Sequence, residues 1–84
     1  MIRITTTVRG GVTTINADGR LMSEDAAELM RVCEGCDVPV VIDLSDLTFA
    51  DAEGAEVLQK LRAAGATLVG ARPYVAIVLE EGAE

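Results

Sequence analysis

The sequence predicts an α/β fold, in which a mixed sheet of about four strands is covered by helices mainly on one face. The first residues alternate between apolar and polar side chains, as strands do. Farther on, an apolar run over residues 40–42 gives way at Asp51 to helical spacing. Another helical stretch, earlier in the chain, begins near Ser23 and stops at Gly35. With 84 residues, the chain is expected to form a single domain, residues 1–84, with a small aliphatic core.

A hairpin opens the chain. Residues 2–9 place apolar side chains at every second position, which predicts a half-buried strand. Gly10-Gly11 is a hairpin signal, and residues 12–17 form a second β-rich run. We expect that run to end in a turn at Asp18-Gly19 before Arg20-Leu21.

The first helix is predicted to begin with Ser23 as its N-cap. Glu24 and Asp25 follow in the first turn, where carboxylates favour the positive end of the helix dipole. Gly35 ends the helix, and Val38-Pro39 leads into the central strand. The apolar stripe of this helix consists of Ala26, Leu29, Met30 and Cys33.

The rest of the chain is organised around residues 40–65. The apolar run at the start predicts a strand buried on both faces, and Asp51 then caps a helix that ends at Gly65. Leu58, Leu61 and Ala64 form the apolar face of that helix. The turn between strand and helix is our candidate for function.

The closing segment is ambiguous in its second half. Residues 66–70 read as a strand, and Pro73 allows a helix from Tyr74 to Leu79 that ends at residues 80–82. The β-branched residues of that helix would also suit a strand.

Composition excludes several functions. The formal net charge is -7 and there is no basic cluster, which argues against binding nucleic acid or an anionic membrane. No apolar run approaches the roughly 20 residues that span a bilayer, and we expect a cytoplasmic protein. The chain has no His, no glycine-rich phosphate loop and no nucleophile–base pair, so we expect neither an enzyme nor a cofactor. Four carboxylates suggest a Mg²⁺ site, but we expect them to be scattered: Asp43, Asp46, Asp51 and Glu53.

Cys33-Glu34-Gly35-Cys36 has the CxxC spacing of redox and zinc motifs. It falls at the carboxyl end of a predicted helix, where the dipole opposes thiolate formation. A structural zinc also needs four ligands, and the chain has only these two Cys and no His. We therefore interpret Cys33 as a core residue and expect no metal.

The order of elements and two segments resemble the STAS domain. These segments are Gly19-Arg20-Leu21 and residues 41–51, Val-Ile-Asp-Leu-Ser-Asp-Leu-Thr-Phe-Ala-Asp. The family includes bacterial anti-sigma factor antagonists, stressosome subunits, small subunits of lipid-transport complexes and the tails of sulfate transporters. The resemblance implies a non-enzymatic bacterial module that acts in transcription regulation by binding a protein.

In the antagonists of this family, the turn reads Asp-Ser-Ser/Thr-Gly and its first hydroxyl is phosphorylated by the anti-sigma kinase. Asp51 and Gly54 keep this pattern, whereas Ala52 and Glu53 occupy the hydroxyl positions. The resemblance therefore implies a degenerate phosphoacceptor turn. Partner binding is expected through this turn and the adjacent Glu56.

Each of these residues also has a simpler interpretation. Asp51 as a helix cap would contribute roughly 1 kcal/mol. Glu53 is either a partial mimic of phosphate or a first-turn residue favoured by the dipole. Glu56 is interpreted first as a partner of Lys60 four residues on.

The resemblance and the apolar closing segment lead to three expectations about what the chain binds. An anti-sigma factor or kinase-like protein that presents Lys or Arg is the first expectation. The alternative is a scaffold role as an accessory subunit of a transporter or stressosome-like complex. A homodimer through an open apolar surface on the Tyr74 to Leu79 segment is a further expectation.

Overall fold

In the computed structural model of the chain, helices pack over one face of a mixed sheet. The structure describes residues 2–35 and 39–81. Within these residues there are five strands and three helices, so the predicted α/β class is confirmed. In chain order they are β1 Ile2–Arg9, β2 Val12–Leu21, α1 Ser23–Glu34, β3 Val40–Asp43, β4 Leu47–Ala50, α2 Ala52–Ala63, β5 Thr67–Val69 and α3 Pro73–Glu81.

The sheet is built around β2. The strand order is β1-β2-β3-β5, with β1 antiparallel to β2 and the other pairs parallel. β3 pairs with the first half of β2, and β4 pairs with its last residues from Gly19 to Leu21. Because β2 is long enough to pair with both β3 and β4, the ends of β2 and β4 lie together. The helices α1 and α2 both begin at these strand ends.

The predicted turn at Asp18-Gly19 is wrong, because β2 runs straight through both residues to Leu21. Gly19 has a φ of 110°, and the register against β4 shifts between Gly19 and Arg20. The glycine therefore accommodates an irregularity within the strand instead of ending it. Gly10 and Gly11, with φ of 58° and 79°, form the predicted hairpin turn.

The central segment contains two strands where one was expected. β3 ends at Asp43, whose Oδ1 accepts hydrogen bonds from the backbone N of Ser45 at 2.9 Å and from its Oγ at 2.7 Å. This side-chain turn lets the chain re-enter the sheet as β4. Burial of β3 on both faces is also wrong: Ile42 is buried but Val40 and Val41 are only half-buried, since the helices cover one face.

One aliphatic core lies between the sheet and the helices. β2 alternates in burial along its length, and its buried side chains pack with those of all three helices. The closing segment is a helix, because Val75 and Leu79, one turn apart, both enter this core. Ala64, expected on the apolar face of α2, instead caps that helix and is exposed. The largest fully buried side chains are Ile15, Leu21, Leu29, Ile42, Leu44, Leu47, Leu58 and Val75.

Candidate functional site

The carboxylate of Asp51 lies between the amino ends of two helices. Its Oδ1 accepts a hydrogen bond from the backbone N of Gly54 at 2.8 Å, which confirms Asp51 as the cap of α2. Its Oδ2 accepts from the backbone N of Ser23, at the start of α1, also at 2.8 Å. The backbone N of Asp51 donates to the carbonyl of Leu21 at 3.1 Å. One residue therefore joins the end of β2 to the starts of α1 and α2.

Ser23 is not the N-cap of α1, as the sequence had predicted. It is the first helical residue, and Met22 takes the cap position with extended backbone angles. Met22 has no hydroxyl or carboxylate to offer, so the free amides are satisfied from elsewhere. Asp25 Oδ2 accepts from the backbone N of Met22 at 3.3 Å, and Asp51 accepts from Ser23.

Gly54 is fixed by a close approach between α2 and the end of β2. A Cβ added at Gly54 would lie 2.5 Å from the carbonyl oxygen of Leu21 and 3.0 Å from its Cγ. Real side chains do not tolerate the first of these distances, and a backbone oxygen cannot swing away. A glycine is therefore required here by the packing, with no need for an unusual backbone angle.

Ala52 and Glu53 both lie exposed on the first turn of α2. Glu56 is exposed on the next turn, and its Oε1 lies 3.8 Å from Nζ of Lys60, as the spacing predicted. Both side chains of that pair are 63% exposed, so the pair adds little to stability. The surface of the turn thus consists of a methyl group flanked by carboxylates.

The chain's one Phe and one Tyr meet beside this turn. The rings of Phe49, near the end of β4, and Tyr74, in the first turn of α3, are stacked with centroids 5.6 Å apart and planes 16° from parallel. Sequence reasoning did not pair them, since only the docking of α3 on β4 brings them together. The only sequence signal for this pair was that the chain has so few aromatic residues that a contact between them stands out.

The four carboxylates considered for Mg²⁺ have separate roles. Asp43 accepts from Ser45, Asp46 Oδ2 accepts from Asn16 Nδ2 at 3.3 Å, and Asp51 accepts from the first turns of α1 and α2. Glu53 is exposed on the first turn of α2. The hydrogen bonds from the backbone and hydroxyl of Ser45 hold the pKa of Asp43 below its ordinary value. Within residues 2–35 and 39–81, no cluster of His, Cys, Asp or Glu is arranged to hold a metal ion.

Cys33 lies half-buried in the last turn of α1, as part of the predicted apolar stripe. It lines a cavity of about 300 Å³ at the carboxyl ends of α1 and α2, with Met30, Leu61 and Lys60 among the walls. Cys36 and Val38, and the predicted end of α3 at Gly82, lie outside the described residues. Arg72 is exposed, and its Nε donates to the carbonyl of Ser45 at 3.0 Å.

The sequence matches the STAS domain over residues 3–82, and the chain belongs to this family. Two solved structures share its fold at 19% sequence identity. The structure of the anti-sigma factor antagonist SpoIIAA in its unphosphorylated form has a TM-score of 0.66, covering 98% of this chain and 84% of the other. The STAS domain of an antisigma-factor antagonist from Rhodobacter sphaeroides has a TM-score of 0.65, covering 99% and 91%.

A search of curated proteins finds no match to this sequence. In the described part of the chain, no helix is both long enough and apolar enough to cross a bilayer.

Proposed function

We propose that this chain is a non-enzymatic protein-binding module, related to the anti-sigma factor antagonists, whose docking turn works without phosphorylation. The docking turn comprises Asp51, Ala52, Glu53 and Gly54, with Glu56 beside it. The observation that supports this proposal is the exposure of Ala52 and Glu53 on a helical turn whose backbone is tied down on both sides. A bacterial, cytoplasmic role in transcription regulation is part of the same proposal.

A rigid turn suits recognition, because a surface that is already ordered loses less entropy when a partner binds. The bond from Ser23 N to Asp51 Oδ2 holds the turn against α1, and the bond from Gly54 N to Oδ1 closes the turn itself. The contact of Gly54 with Leu21 holds the turn against the sheet. The exposed side chains of the turn therefore keep a fixed position relative to the fold.

The chemistry of the turn gives it one permanent state. Alanine has no hydroxyl to accept a phosphoryl group, which would add about -1.5 to -2 charges. Glu53 carries a single negative charge at this surface at neutral pH. A partner that presents Lys or Arg to the turn would complement Glu53 and Glu56, whereas an acidic partner would be repelled.

The test is affinity purification from cells that express the protein, followed by binding measurements with the purified partner. Glu53→Lys should weaken binding about tenfold, whereas Glu53→Ser, which restores a hydroxyl, should weaken it less. Glu28→Lys is the matched control, because Glu28 is exposed on α1 and its reversal changes the net charge equally. Equal recovery with wild type, Glu53→Ser and Glu53→Lys, or equal loss with Glu28→Lys, would exclude the turn as the interface.

A second candidate is a scaffold role in a transporter or stressosome-like complex. Ala52 favours it as well, because a subunit that never switches needs no phosphoacceptor. Gene neighbours and the size of the purified complex separate the two functions. A sigma factor or kinase-like ATPase gene beside this one supports the regulatory function, and transporter genes support the scaffold.

A further inference from the structure

We propose that β1 is a self-association surface, along which two copies of this chain pair in antiparallel fashion and join their sheets into one. In this dimer, Thr5 of one copy faces Thr5 of the other across a two-fold axis. The inference is independent of the proposed function, because β1 takes no part in the docking turn.

The strand order β1-β2-β3-β5 leaves two very different strands at the ends of the sheet. β5 has only three residues, whereas β1 has eight and runs in unbroken register against β2. Five consecutive β-branched residues, 4–8, form most of β1. Proteins usually protect a long edge strand with a bulge, a Pro or a Lys, and β1 has none of these. Within the described part of the chain nothing pairs with its outer side, so β1 is suited to bind another strand.

The hairpin turn determines which backbone groups of β1 point to the open edge. Gly10 and Gly11 both have positive φ, as in a type I′ turn, so the carbonyl of Arg9 accepts from the amide of Val12. Opposite residues of an antiparallel pair alternate between bonded and non-bonded pairs. The amides and carbonyls of the odd-numbered residues of β1 therefore point to β2. Those of the even-numbered residues point away from β2.

Hydrogen bonds on the other side of β2 agree with this alternation. The backbone N of Thr13, which lies opposite Val8, donates to the carbonyl of Pro39 at 2.9 Å and not to β1. The backbone N of Gly19, opposite Ile2, likewise donates to the loop before β4, at 3.2 Å. Val8 and Ile2 are thus non-bonded pairs with β2, and their own amides and carbonyls face the open edge.

The outward-facing groups restrict the register in which two copies of β1 can pair. Even-numbered residues must face even-numbered residues, and two antiparallel registers that meet this condition keep most of β1 paired. A two-fold axis at Thr6 sets Arg3 directly opposite Arg9 of the second copy, and like charges opposite one another are destabilising. A two-fold axis at Thr5 sets Arg3 opposite Thr7 instead. The register centred on Thr5 is therefore the favoured one.

In this register the side chains of β1 complement those of a second copy. On the side of the sheet that carries the helices, Ile2 faces Val8 and Ile4 faces Thr6. Val8 is 64% exposed, more than any other large apolar side chain of the described residues. Ile2 of the second copy would cover it, and such cross-strand contacts stabilise a sheet. The most exposed large apolar side chain thus gains a partner without any change in the fold.

The charges near β1 permit this contact despite the net charge of -7. None of the fourteen carboxylates lies in β1, whose charged residues are Arg3 and Arg9. Arg3 already faces Asp18 across the pairing of β1 with β2. In the register centred on Thr5, Arg3 and Arg9 of the two copies are diagonal neighbours about 7–8 Å apart, and long flexible side chains can point away from each other. The two-fold contact therefore joins the parts of the molecule that have the fewest negative charges.

Sedimentation of the purified chain at several concentrations tests the dimer. We expect a monomer–dimer equilibrium. A monomer at every concentration would overturn the proposal and leave the edge to an extended segment of another protein. Thr6→Pro should weaken dimerisation about tenfold or more, because it removes an amide that points to the second copy and none that bonds β2. An equally strong dimer with Thr6→Pro would also overturn the proposal.

Two charge variants distinguish β1 from the other exposed apolar surface of the chain. Val8→Lys should weaken the dimer about tenfold, because it sets a charge against Ile2 of the second copy. Ile77→Lys is the matched control: Ile77 lies on α3, is 57% exposed, and undergoes the same change in charge. Both side chains are exposed, so neither change should unfold the protein, which urea unfolding checks. Loss of the dimer with Ile77→Lys, alone or to an equal degree, would overturn the proposal.

Disulfide formation measures the register. Directly opposite residues of a non-bonded antiparallel pair have Cα atoms about 4.5 Å apart, which a disulfide can span. With oxidised glutathione, Thr5→Cys should therefore give a covalent dimer linked through position 5 of both copies, identified by mass spectrometry of the digested dimer. Thr7→Cys is the matched control, since Thr7 is also an exposed Thr of β1 but faces Arg3 of the second copy. Equal crosslinking of the two variants, or none with Thr5→Cys, would overturn the proposed pairing.

Discussion

Replacing Asp51 tests whether one carboxylate holds two helices together. Asp51→Ala removes both hydrogen bonds of 2.8 Å, one to each helix start. Loss of an N-cap costs typically about 1 kcal/mol, and loss of a second bond to a charged acceptor costs a similar amount. We therefore expect a loss of about 2 kcal/mol in the free energy of unfolding. In a domain of this size, that loss corresponds to a fall of about 8–16 °C in Tm.

Two further variants divide this energy between the helices. Asp51→Asn keeps one acceptor oxygen and should lose about half as much, about 1 kcal/mol. Ser23→Pro removes only the amide that donates to Oδ2. Proline is well tolerated at the first helical position, and Met22 already has the extended backbone, with ψ of 169°, that a residue before proline prefers. The effect of Ser23→Pro should therefore largely disappear in the Asp51→Ala background.

The measurement is urea unfolding of the four proteins in this double-mutant cycle, with a coupling energy of about 1 kcal/mol expected. Asp46→Ala is the control, because among the described residues its carboxylate accepts a single side-chain hydrogen bond, an exposed one of 3.3 Å from Asn16 Nδ2. Additive effects of Ser23→Pro and Asp51→Ala would refute the bridge to α1. A loss below about 0.5 kcal/mol in the free energy of unfolding for Asp51→Ala would refute the proposal that Asp51 stabilises the starts of both helices.

Two other changes follow from the same region and its neighbour. Gly54→Ala should destabilise the fold by about 1–3 kcal/mol in urea unfolding, because its methyl group would meet the carbonyl of Leu21; Gly35→Ala, which meets only ordinary contacts, should not. The lowered pKa of Asp43 means that its bonds with Ser45 stabilise the fold fully above the ordinary pKa of 3.8 and lose that effect as the pH falls through the lower, folded-state pKa. Asp43→Asn should flatten this part of the stability–pH curve, and an unchanged curve would contradict the assignment.

The elements that could be predicted are those whose signals are local. Asp51 at the start and Gly65, with a φ of 116°, at the end bound α2 closely, since a cap and a left-handed glycine act within one turn of chain. The hairpin glycines, Gly10 and Gly11, are a further example. At α1 the same reasoning chose Ser23 as the cap, one residue too late, because a residue from elsewhere in the fold supplies the acceptor.

Contacts between distant residues explain what the sequence could not reveal. β4 forms because β2 continues past Gly19 and offers an edge with which it can pair. The residues of β4, Leu47–Ala50, carry no local signal that predicts pairing with β2. The stack of Phe49 on Tyr74 likewise depends on where α3 docks. In each case the residue types were compatible with several structures, and the choice was made by packing across the sheet.

The hydrogen bonds of Asp51 also distinguish the residues that shape the docking turn from those that are open to a partner. Both oxygens of its carboxylate accept short bonds from backbone amides, and its own amide is bonded to Leu21. A partner that bonded this carboxylate would compete with the bonds that shape the turn. Gly54 has no side chain and is buried. We therefore infer that Asp51 and Gly54 position the turn, and that Ala52, Glu53 and Glu56 make the direct contacts with a partner.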